Sequence, residues 1–247
     1  MRYFGFVTEE GALMLTCDRL DLTQGAFRLS ADVSFAKGAV TAVIGPSGAG
    51  KSTLLLAIAG FVEPQKGRVS FDGVSFATAA PGKRPVSMLF QDNNLFPHLS
   101  IFENVGLGLR SNGRLSTAER DSVFLVLERV GLRGMADRKP AVLSGGQQSR
   151  VALARVLLAD RPVVLLDEPF AALGPGLKDE MLDLVQQMLV RDAGATVLMV
   201  THDPADARRV ADHVAWVADG VVQMSRPTAA IFADPPVGLR QYLGKMG

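Results

Sequence analysis

The chain alternates short, uninterrupted apolar runs with longer segments that have helical periodicity. The β-branched content of the runs, and the abrupt ends of most of them at Gly, Gln, Asp or Thr, favour buried strands over fragments of helices. The predicted strands are Val40–Ile44, Val86–Phe90, Val163–Leu166, Thr196–Val200 and Val214–Val217. Helical spacing on one face is clearest for Leu177, Met181, Leu184, Val185, Met188 and Leu189. This alternation predicts an α/β fold with a parallel sheet covered on both faces.

The segment from about 100 to 144 has a different pattern. Ser116 and Glu119 have the spacing of a capping box, which predicts the start of a helix over Val123–Val130. Gly131 is placed to end that helix. We interpret the segment as a helical subdomain inserted into the α/β core.

The remaining chain divides around this insertion. Residues 1–99 and 145–247 are predicted to form the core, with 100–144 as the helical subdomain. Before the first core strand, Leu13–Leu22 and Ala26–Phe35 predict a pair of strands in a small antiparallel sheet.

Composition and charge narrow the classes of protein. With 247 residues and 48% hydrophobic content, the chain can bury a substantial core. The formal net charge is +1, without acidic or basic blocks, so we expect no nucleic-acid partner. The single cysteine, Cys17, excludes an intramolecular disulfide framework and a four-cysteine zinc site, and it fits a reducing cytosol. No apolar run suggests a secretory signal or approaches the roughly 18 residues of a membrane span.

A phosphate-binding loop is predicted directly after the strand Val40–Ile44. The pattern G-x-x-x-x-G-K-[ST] is followed by a helical pattern over Thr53–Ala59, which is the context that this loop requires. Lys51 is expected to reach the β- and γ-phosphates, and the Ser52 hydroxyl to coordinate Mg²⁺. The alternative, a glycine-rich loop with an exposed lysine, does not explain the flanking strand and helix. The predicted nucleotide-binding residues are Gly45, Pro46, Ser47, Gly48, Ala49, Gly50, Lys51, Ser52 and Thr53.

Two carboxylates follow the buried strand Val163–Leu166. They lie at the carboxyl end of a predicted parallel strand, where ligands of such folds bind. Asp167 is expected to hold Mg²⁺, and Glu168 to polarise the attacking water as a general base. On its own, the pair could equally be an ordinary acidic surface loop.

A third motif, Leu-Ser-Gly-Gly-Gln at 143–147, precedes a predicted helix over Gln148–Leu158. Gln91 follows one predicted strand and His202 follows another. In order and spacing, from Val40 to Trp216, this set of motifs resembles the ABC ATPase family.

The resemblance implies a fold, ligands and an assembly. It implies a RecA-like P-loop NTPase core with a helical subdomain, so that 1–247 forms a single ABC ATPase domain. It also implies ATP and Mg²⁺ as ligands, and two copies of the chain that enclose two ATP molecules. Gln91 would sense Mg²⁺ and the attacking water, and His202 would contact the γ-phosphate. The signature lies at the N-terminus of a predicted helix, and a helix N-terminus binds phosphate well. By the resemblance, the residues that contact the nucleotide of the other copy are Ser144, Gly145, Gly146 and Gln147.

The chain departs from the family pattern in three places. Ala171–Gly174 stands where the family usually has Ser-Ala-Leu-Asp, so one carboxylate at the dimer interface is missing. The signature continues as Gln148–Arg150, with Ser149 where a second glutamine is common. Leu22–Gln24 occupy the place of the usual adenine-stacking aromatic. Phe27 is the nearest aromatic, and we expect it to be a strand residue of the core.

Within the family, Pro85–Leu99 and Gly106–Leu109 resemble the ATPase subunits of bacterial thiamine importers. This resemblance implies ATP hydrolysis that drives import of thiamine through an integral membrane permease, with polyamine, sulfate or ferric ion as alternative solutes. A periplasmic solute-binding protein would be an indirect partner, and the chain would be peripheral on the cytoplasmic face of the bacterial inner membrane. Asn94–His98 would receive the permease, unless this hydrophobic loop folds onto its own core.

Other classes of protein explain the sequence less well. Chromosome-maintenance ATPases insert long coiled coils between the two halves, and excision-repair ATPases need zinc cysteines. A GTPase would carry an Asn-Lys-x-Asp guanine-binding sequence, which this chain lacks. A purely regulatory nucleotide-binding module would not need both Glu168 and His202.

Overall fold

A computed structural model describes residues 14–110 and 112–244 of the chain. Within them, eleven strands form one sheet with the order β5-β4-β1-β2-β10-β9-β3-β8-β7-β6, and β11 pairs with β9. The strands are β1 (Met14–Gln24), β2 (Phe27–Ala36), β3 (Val40–Ile44), β4 (Lys66–Phe71), β5 (Val74–Ser75), β6 (Val86–Leu89), β7 (Val163–Asp167), β8 (Thr196–Val200), β9 (His213–Ala218), β10 (Val221–Val222) and β11 (Arg226–Pro227).

Helices connect these strands and cover the sheet. In the described part of the chain they are α1 (Lys51–Ala59), α2 (Ile101–Gly106), α3 (Thr117–Arg129), α4 (Gly145–Leu158), α5 (Pro175–Leu184), α6 (Pro204–Val210), α7 (Thr228–Ala233) and α8 (Val237–Gly244). A π-helix, Val185–Asp192, continues α5, and short 3₁₀ helices occupy Pro81–Lys83 and Pro140–Val142.

The five strands predicted from the apolar runs are confirmed, and they form the parallel part of the sheet. Strands β6, β7, β8, β3 and β9 pair in parallel. Every residue of β3 and β8 is buried. One face packs on α1 through Leu54 and Leu55, and the other packs on α5 through Met181 and Leu182. Burial on both faces explains why these strands are continuous apolar runs.

The antiparallel strands lie at one end of the same sheet. Strands β1 and β2 pair as predicted, with a register shift between Cys17 and Leu20, and β4 and β5 extend the antiparallel part. Leu13 lies outside the described residues. The predicted small sheet is not separate, because β10 pairs with β2 at Val221↔Ser30 and with β9 on its other side. A two-residue strand therefore joins the antiparallel part to the parallel core.

The helical segment packs around its own apolar cluster, which includes Ile101, Val123 and Leu127. The capping box of Ser116 and Glu119 is present. The helix begins at Thr117 and not near Val123, because the capping box starts the helix directly after Ser116. Helix α4 contributes side chains both to this cluster and to the core under the sheet. The boundary between the core and the helical subdomain therefore stays a prediction.

The last helices pack beside β9. Trp216 of β9 is buried together with Ile231 of α7 and Leu239 of α8. Among the residues that the structure describes, no helix combines the length and apolar character that crossing a membrane requires.

Candidate active site

The loop between β3 and α1 is shaped by two glycines that no larger residue could replace without movement. A Cβ at Gly45 would lie 2.0 Å from the carbonyl oxygen of Val217 on β9. Gly50, the residue before α1, has a φ of 102° in the left-handed region, and a Cβ there would lie 2.6 Å from the Phe27 ring. The loop therefore fits closely against its neighbours and leads directly into the N-terminus of α1.

Lys51 lies inside this loop and is only 6% exposed. Its Nζ donates to the carbonyl oxygens of Gly45 and Pro46, both at 2.9 Å. Burial lowers the pKa of Lys51, while the nearby carboxylates of Glu168 and Asp167 oppose that shift. The loop thus holds a cation at its centre, next to the positive end of the α1 dipole.

Ser52 and Asp167 bring two oxygen ligands together. The Ser52 hydroxyl donates to Asp167 Oδ1 at 2.9 Å, from the first turn of α1 to the last residue of β7. Burial raises the pKa of Asp167, with Glu168 acting in the same direction and the Ser52 hydrogen bond and Lys51 against it. A hydroxyl and a carboxylate are the hard oxygen donors that Mg²⁺ prefers, so this pair fits the metal.

Glu168 and His202 form the second pair. Nδ1 of His202 lies 3.2 Å from Oε2 of Glu168, across the ends of β7 and β8. Glu168 has a φ of 45°, a left-handed conformation that costs a residue with a side chain about 1–2 kcal/mol. Its amide donates to the carbonyl of Val200 at 3.1 Å, which helps to hold this backbone. The Glu168 side chain lies near the phosphate loop, with which it lines one cavity.

A cavity of about 280 Å³ lies at this edge of the sheet. Backbone amides of the loop, Lys51 and Glu168 give it polar walls, and the Phe27 ring adds an aromatic one. The lining residues are Gln24, Phe27, Ser47, Gly48, Gly50, Lys51, Ser52, Thr53 and Glu168. This combination of a cation, a glycine-rich loop and an aromatic ring suits a ligand that carries both phosphates and a flat group.

Phe27 was missed as a site residue by sequence reasoning. It packs against the core as a residue of β2, as predicted, and its ring also lines the cavity. Gln24, at the expected place of the missing aromatic, lines the cavity as well. A signal for both is their position on either side of the turn at Gly25, but only the three-dimensional fold places that turn opposite the phosphate loop.

Gln91 and the signature residues do not line this cavity. Gln91 is exposed, two residues beyond the register pair Leu89↔Leu166 that aligns β6 with β7. This places it at the same sheet edge as Asp167.

The signature residues lie at the start of α4. The Ser144 hydroxyl accepts from the Gln147 amide, and the Gln147 side chain accepts from the Ser144 amide, so the pair forms a capping box. Helix α4 therefore begins at Gly145, three residues before the predicted start. Ser144 and Gly145 are exposed, and Leu177 fills the space against Gly146.

A polar network behind His202 was also missed. Lys178 of α5 bridges Asp203 and Asp206 with two contacts of 2.7 Å, and Thr201 donates to Asp206. Burial would lower the pKa of Lys178, but these two ion pairs outweigh it and raise that pKa. No local sequence pattern indicates the network, because its members lie on different elements.

The fold and the site together define an ATP-binding cassette. The family model for ABC transporters matches residues 30–171, and the chain belongs to this family. The predicted fold class and the prediction of an ABC-type ATPase that binds ATP are confirmed.

Named relatives refine this assignment. The chain is 58% identical over 231 residues to the thiamine import ATP-binding protein ThiQ of Cereibacter sphaeroides, covering 94% of this chain and 100% of that protein. It is 54% identical to the protein of the same name from a Ruegeria species, with the same coverage. A crystal structure of a nucleotide-free ATP-binding cassette from an ABC transporter superposes with a TM-score of 0.79 at 26% identity, covering 90% of this chain and 96% of that one. The predicted resemblance to thiamine importer ATPases is confirmed, whereas the roles of single residues stay predictions.

Proposed function

We propose that this chain hydrolyses ATP at the edge formed by β3, β7 and β8, and that the energy drives import of thiamine through a partner permease. The observation that carries the proposal is that Lys51, Ser52 and Glu168 line one cavity. Asp167 is hydrogen-bonded to Ser52, and His202 lies within hydrogen-bond distance of Glu168. The assignment of thiamine as the solute rests on the two relatives that are 58% and 54% identical to this chain.

Each side chain then has a separate task in hydrolysis. Lys51 and the loop amides bind the phosphates, and release of Lys51 from its two carbonyl partners frees its donors for them. Ser52 and Asp167 would hold Mg²⁺, together with Gln91 from the same edge of the sheet, and the metal would neutralise the phosphate charge. Glu168 takes the proton of the attacking water as general base. His202 orients the Glu168 carboxylate and faces the γ-phosphate.

A second copy of the chain completes the site in this proposal. Ser144 and Gly145 at the start of α4 are exposed, and the free backbone N–H groups of a helix N-terminus suit an anion. Because the Ser144 hydroxyl oxygen accepts from Gln147, its own proton is available to donate. We therefore propose that Ser144–Gln147 of one copy contacts the γ-phosphate held by Lys51 of the other.

The surface near Phe96 suits the permease. Phe96 is 45% exposed, and Phe61, also on the surface, is 58% exposed. Asn104 is fully buried and hydrogen-bonds both the amide and the carbonyl of Phe96. Leu95 packs inward against the helical cluster, whereas Phe96, Pro97 and His98 are exposed. Asn104 thus anchors the loop, and the loop presents the Phe96 ring for docking with the His98 ring beside it.

Reconstitution tests the proposal. The chain is combined with its co-purifying membrane partners in vesicles, and thiamine-loaded binding protein is added. We expect ATPase activity to rise, whereas carriers loaded with putrescine, sulfate or ferric ion should have no effect. A Glu168→Gln complex is the matched control that should not respond. Stimulation by one of the other carriers would overturn thiamine as the solute but leave the ATPase in place.

Docking and location have their own tests. Phe96→Ala should lower the ratio of stimulated to basal ATPase activity, and Phe124→Ala, which changes a ring of similar exposure on α3, should leave this ratio unchanged.

The proposed position is peripheral, on the cytoplasmic face of the bacterial inner membrane. A carbonate wash of membranes should then release the chain, and retention after the wash would contradict a peripheral position.

A further inference from the structure

The C-terminal helix α8 reaches the histidine of the active site. The Tyr242 hydroxyl donates to the carbonyl oxygen of His202 at 2.7 Å. Burial raises the pKa of Tyr242, and the charges of Asp203 and Glu168 add to that effect, so the hydroxyl keeps its proton at neutral pH. The contact therefore persists as a neutral hydrogen bond to the backbone of the residue that faces Glu168.

The Tyr242 ring is fixed by its packing. Its centroid lies 5.3 Å from that of Trp216, which is 2% exposed on β9. One turn earlier on α8, a Cβ at Gly238 would lie 3.3 Å from the Trp216 indole nitrogen. Trp216 also pairs in register with Ile44, the residue before the phosphate loop. Helix α8 thus sits closely on the strand that supports this loop.

The other anchors of the His202 segment act on its neighbours. Thr201 donates through its backbone to Val43 and through its side chain to Asp206. Asp203 caps α6 and pairs with Lys178. Among the described residues, the Tyr242 hydroxyl is the only hydrogen-bond donor to the His202 carbonyl. This bond fixes the peptide plane from which the imidazole projects.

We propose that Tyr242 is a positioning residue for ATP hydrolysis, whose hydroxyl holds the His202 backbone so that the imidazole stays against Glu168. The inference rests on the proposed function, since it assigns Tyr242 to the same reaction. It gives α8 a part in turnover, although α8 lies outside the residues matched by the family model.

Tyr242→Phe tests the hydroxyl alone. The ring, and its packing on Trp216, remain. Loss of one hydrogen bond that orients the Glu168–His202 pair should lower kcat about three- to tenfold. The KM for ATP should change less than about twofold, because Tyr242 is not among the residues that line the cavity. Gln241→Ala, an exposed neighbour on α8, is the matched control and should keep the kcat of the unmodified protein.

The fluorescence of Trp216, the single tryptophan of the chain, reports on the position of α8 against β9. Its emission should be the same in the unmodified protein and in Tyr242→Phe. Gly238→Val should push α8 away from the indole, change that emission, and lower kcat by a similar factor.

Three outcomes separate the possibilities. A Tyr242→Phe protein with unchanged emission and unchanged kcat overturns the inference while the ATPase proposal stands. A fall in kcat accompanied by changed emission also overturns it, because displacement of α8 and not the hydrogen bond is then responsible. Failure of the unmodified reconstituted complex to hydrolyse ATP would contradict the proposed function itself.

Discussion

Lys51 shows at the scale of one residue how the phosphate site is prepared. A buried ammonium group is costly unless its donors are satisfied, and here the carbonyl oxygens of Gly45 and Pro46 satisfy two of them. The same loop that binds phosphate therefore also keeps the cation in place, and the exchange of partners occurs within the loop.

Lys51→Ala should abolish ATP turnover and weaken nucleotide binding strongly. The substitution removes the side-chain cation aimed at the phosphates, a charge-assisted contact that backbone amides do not replace. Binding is measured by titration with a fluorescent ATP analogue, and turnover by phosphate release. Unchanged affinity together with unchanged turnover would contradict the assignment of this loop.

Glu168→Gln should preserve ATP binding and cut hydrolysis by roughly 10²–10⁴-fold, the usual contribution of a general base. The amide keeps the size of the side chain and the left-handed turn, but it cannot take a proton. An ATP-bound dimer should then accumulate on gel filtration. Normal hydrolysis by a folded variant would show that the base lies elsewhere.

At the residue scale, the sequence predicts the local arrangement of strand, loop and helix that the structure has, while the roles of the single residues stay predictions. The strand, loop and helix around Gly45–Thr53 are contiguous, so their pattern is visible in the sequence. Contacts such as Tyr242 to His202 and Lys178 to Asp203 join residues 40 and 25 positions apart. They obey no spacing rule, so no local pattern predicts them.

At the scale of elements, the C-terminal end of α1 is stabilised from another part of the chain. Arg84 is 3% exposed and donates to the carbonyl oxygens of Ala57 and Ile58 in the last turn of α1. It also donates to Ala77 and Ala79 in the preceding loop. The guanidinium thus adds donors to the last carbonyls of α1, at the negative end of the helix dipole.

Arg84→Met should lower the free energy of unfolding by about 2–3 kcal/mol, because it leaves several buried carbonyls without donors. Arg84→Lys is the control: it keeps the charge but cannot form four bonds at once, so an intermediate loss is expected. Urea denaturation followed by circular dichroism measures both. Equal stability of all three proteins would show that water replaces the guanidinium.

Helix α5 permits a test of the unusual Gly174. This residue precedes α5 with a φ of −66°, Pro175 follows it, and nothing lies within 4 Å of a Cβ placed there. Gly174→Asp should therefore be tolerated with little change in melting temperature, since Asp caps helices about as well as Gly. The new carboxylate should alter the basal rate or the cooperativity of ATP hydrolysis. Identical kinetics of Gly174→Asp and the unmodified protein across a full ATP titration would contradict a role for the missing aspartate.

Element-level prediction failed at boundaries and at irregular structure. Helix α3 and helix α4 both begin before their predicted starts, because the capping boxes initiate the helix directly. The π-helix that extends α5 keeps the apolar face of Val185, Met188 and Leu189 buried, so its side-chain pattern does not differ from that of an α-helix. The joining strand β10 has two residues and no detectable periodicity.

At the scale of the whole molecule, the signature residues do not line the cavity beside the phosphate loop. The proposed site shared between two copies would bring them together, and it predicts complementation. Ser144→Arg should inactivate the protein without weakening ATP binding, because the change affects the partner's nucleotide. Mixing it with Lys51→Ala should restore one competent site per mixed dimer. The measurement is ATPase activity across mixing ratios, with mixed dimers verified by differential tags, and no recovery in any mixture would argue against a shared site.

The order of the strands has a consequence for how the chain is made. Strand β3, which carries the phosphate loop, lies between β8 and β9, and its register partners begin at Val197 and His213. A ribosome therefore releases the complete Gly45–Thr53 motif long before either neighbour of β3 exists. Such non-local pairing delays folding. During synthesis the nucleotide site can form only after β8 and β9 have been made, so ATP cannot stabilise the early nascent chain.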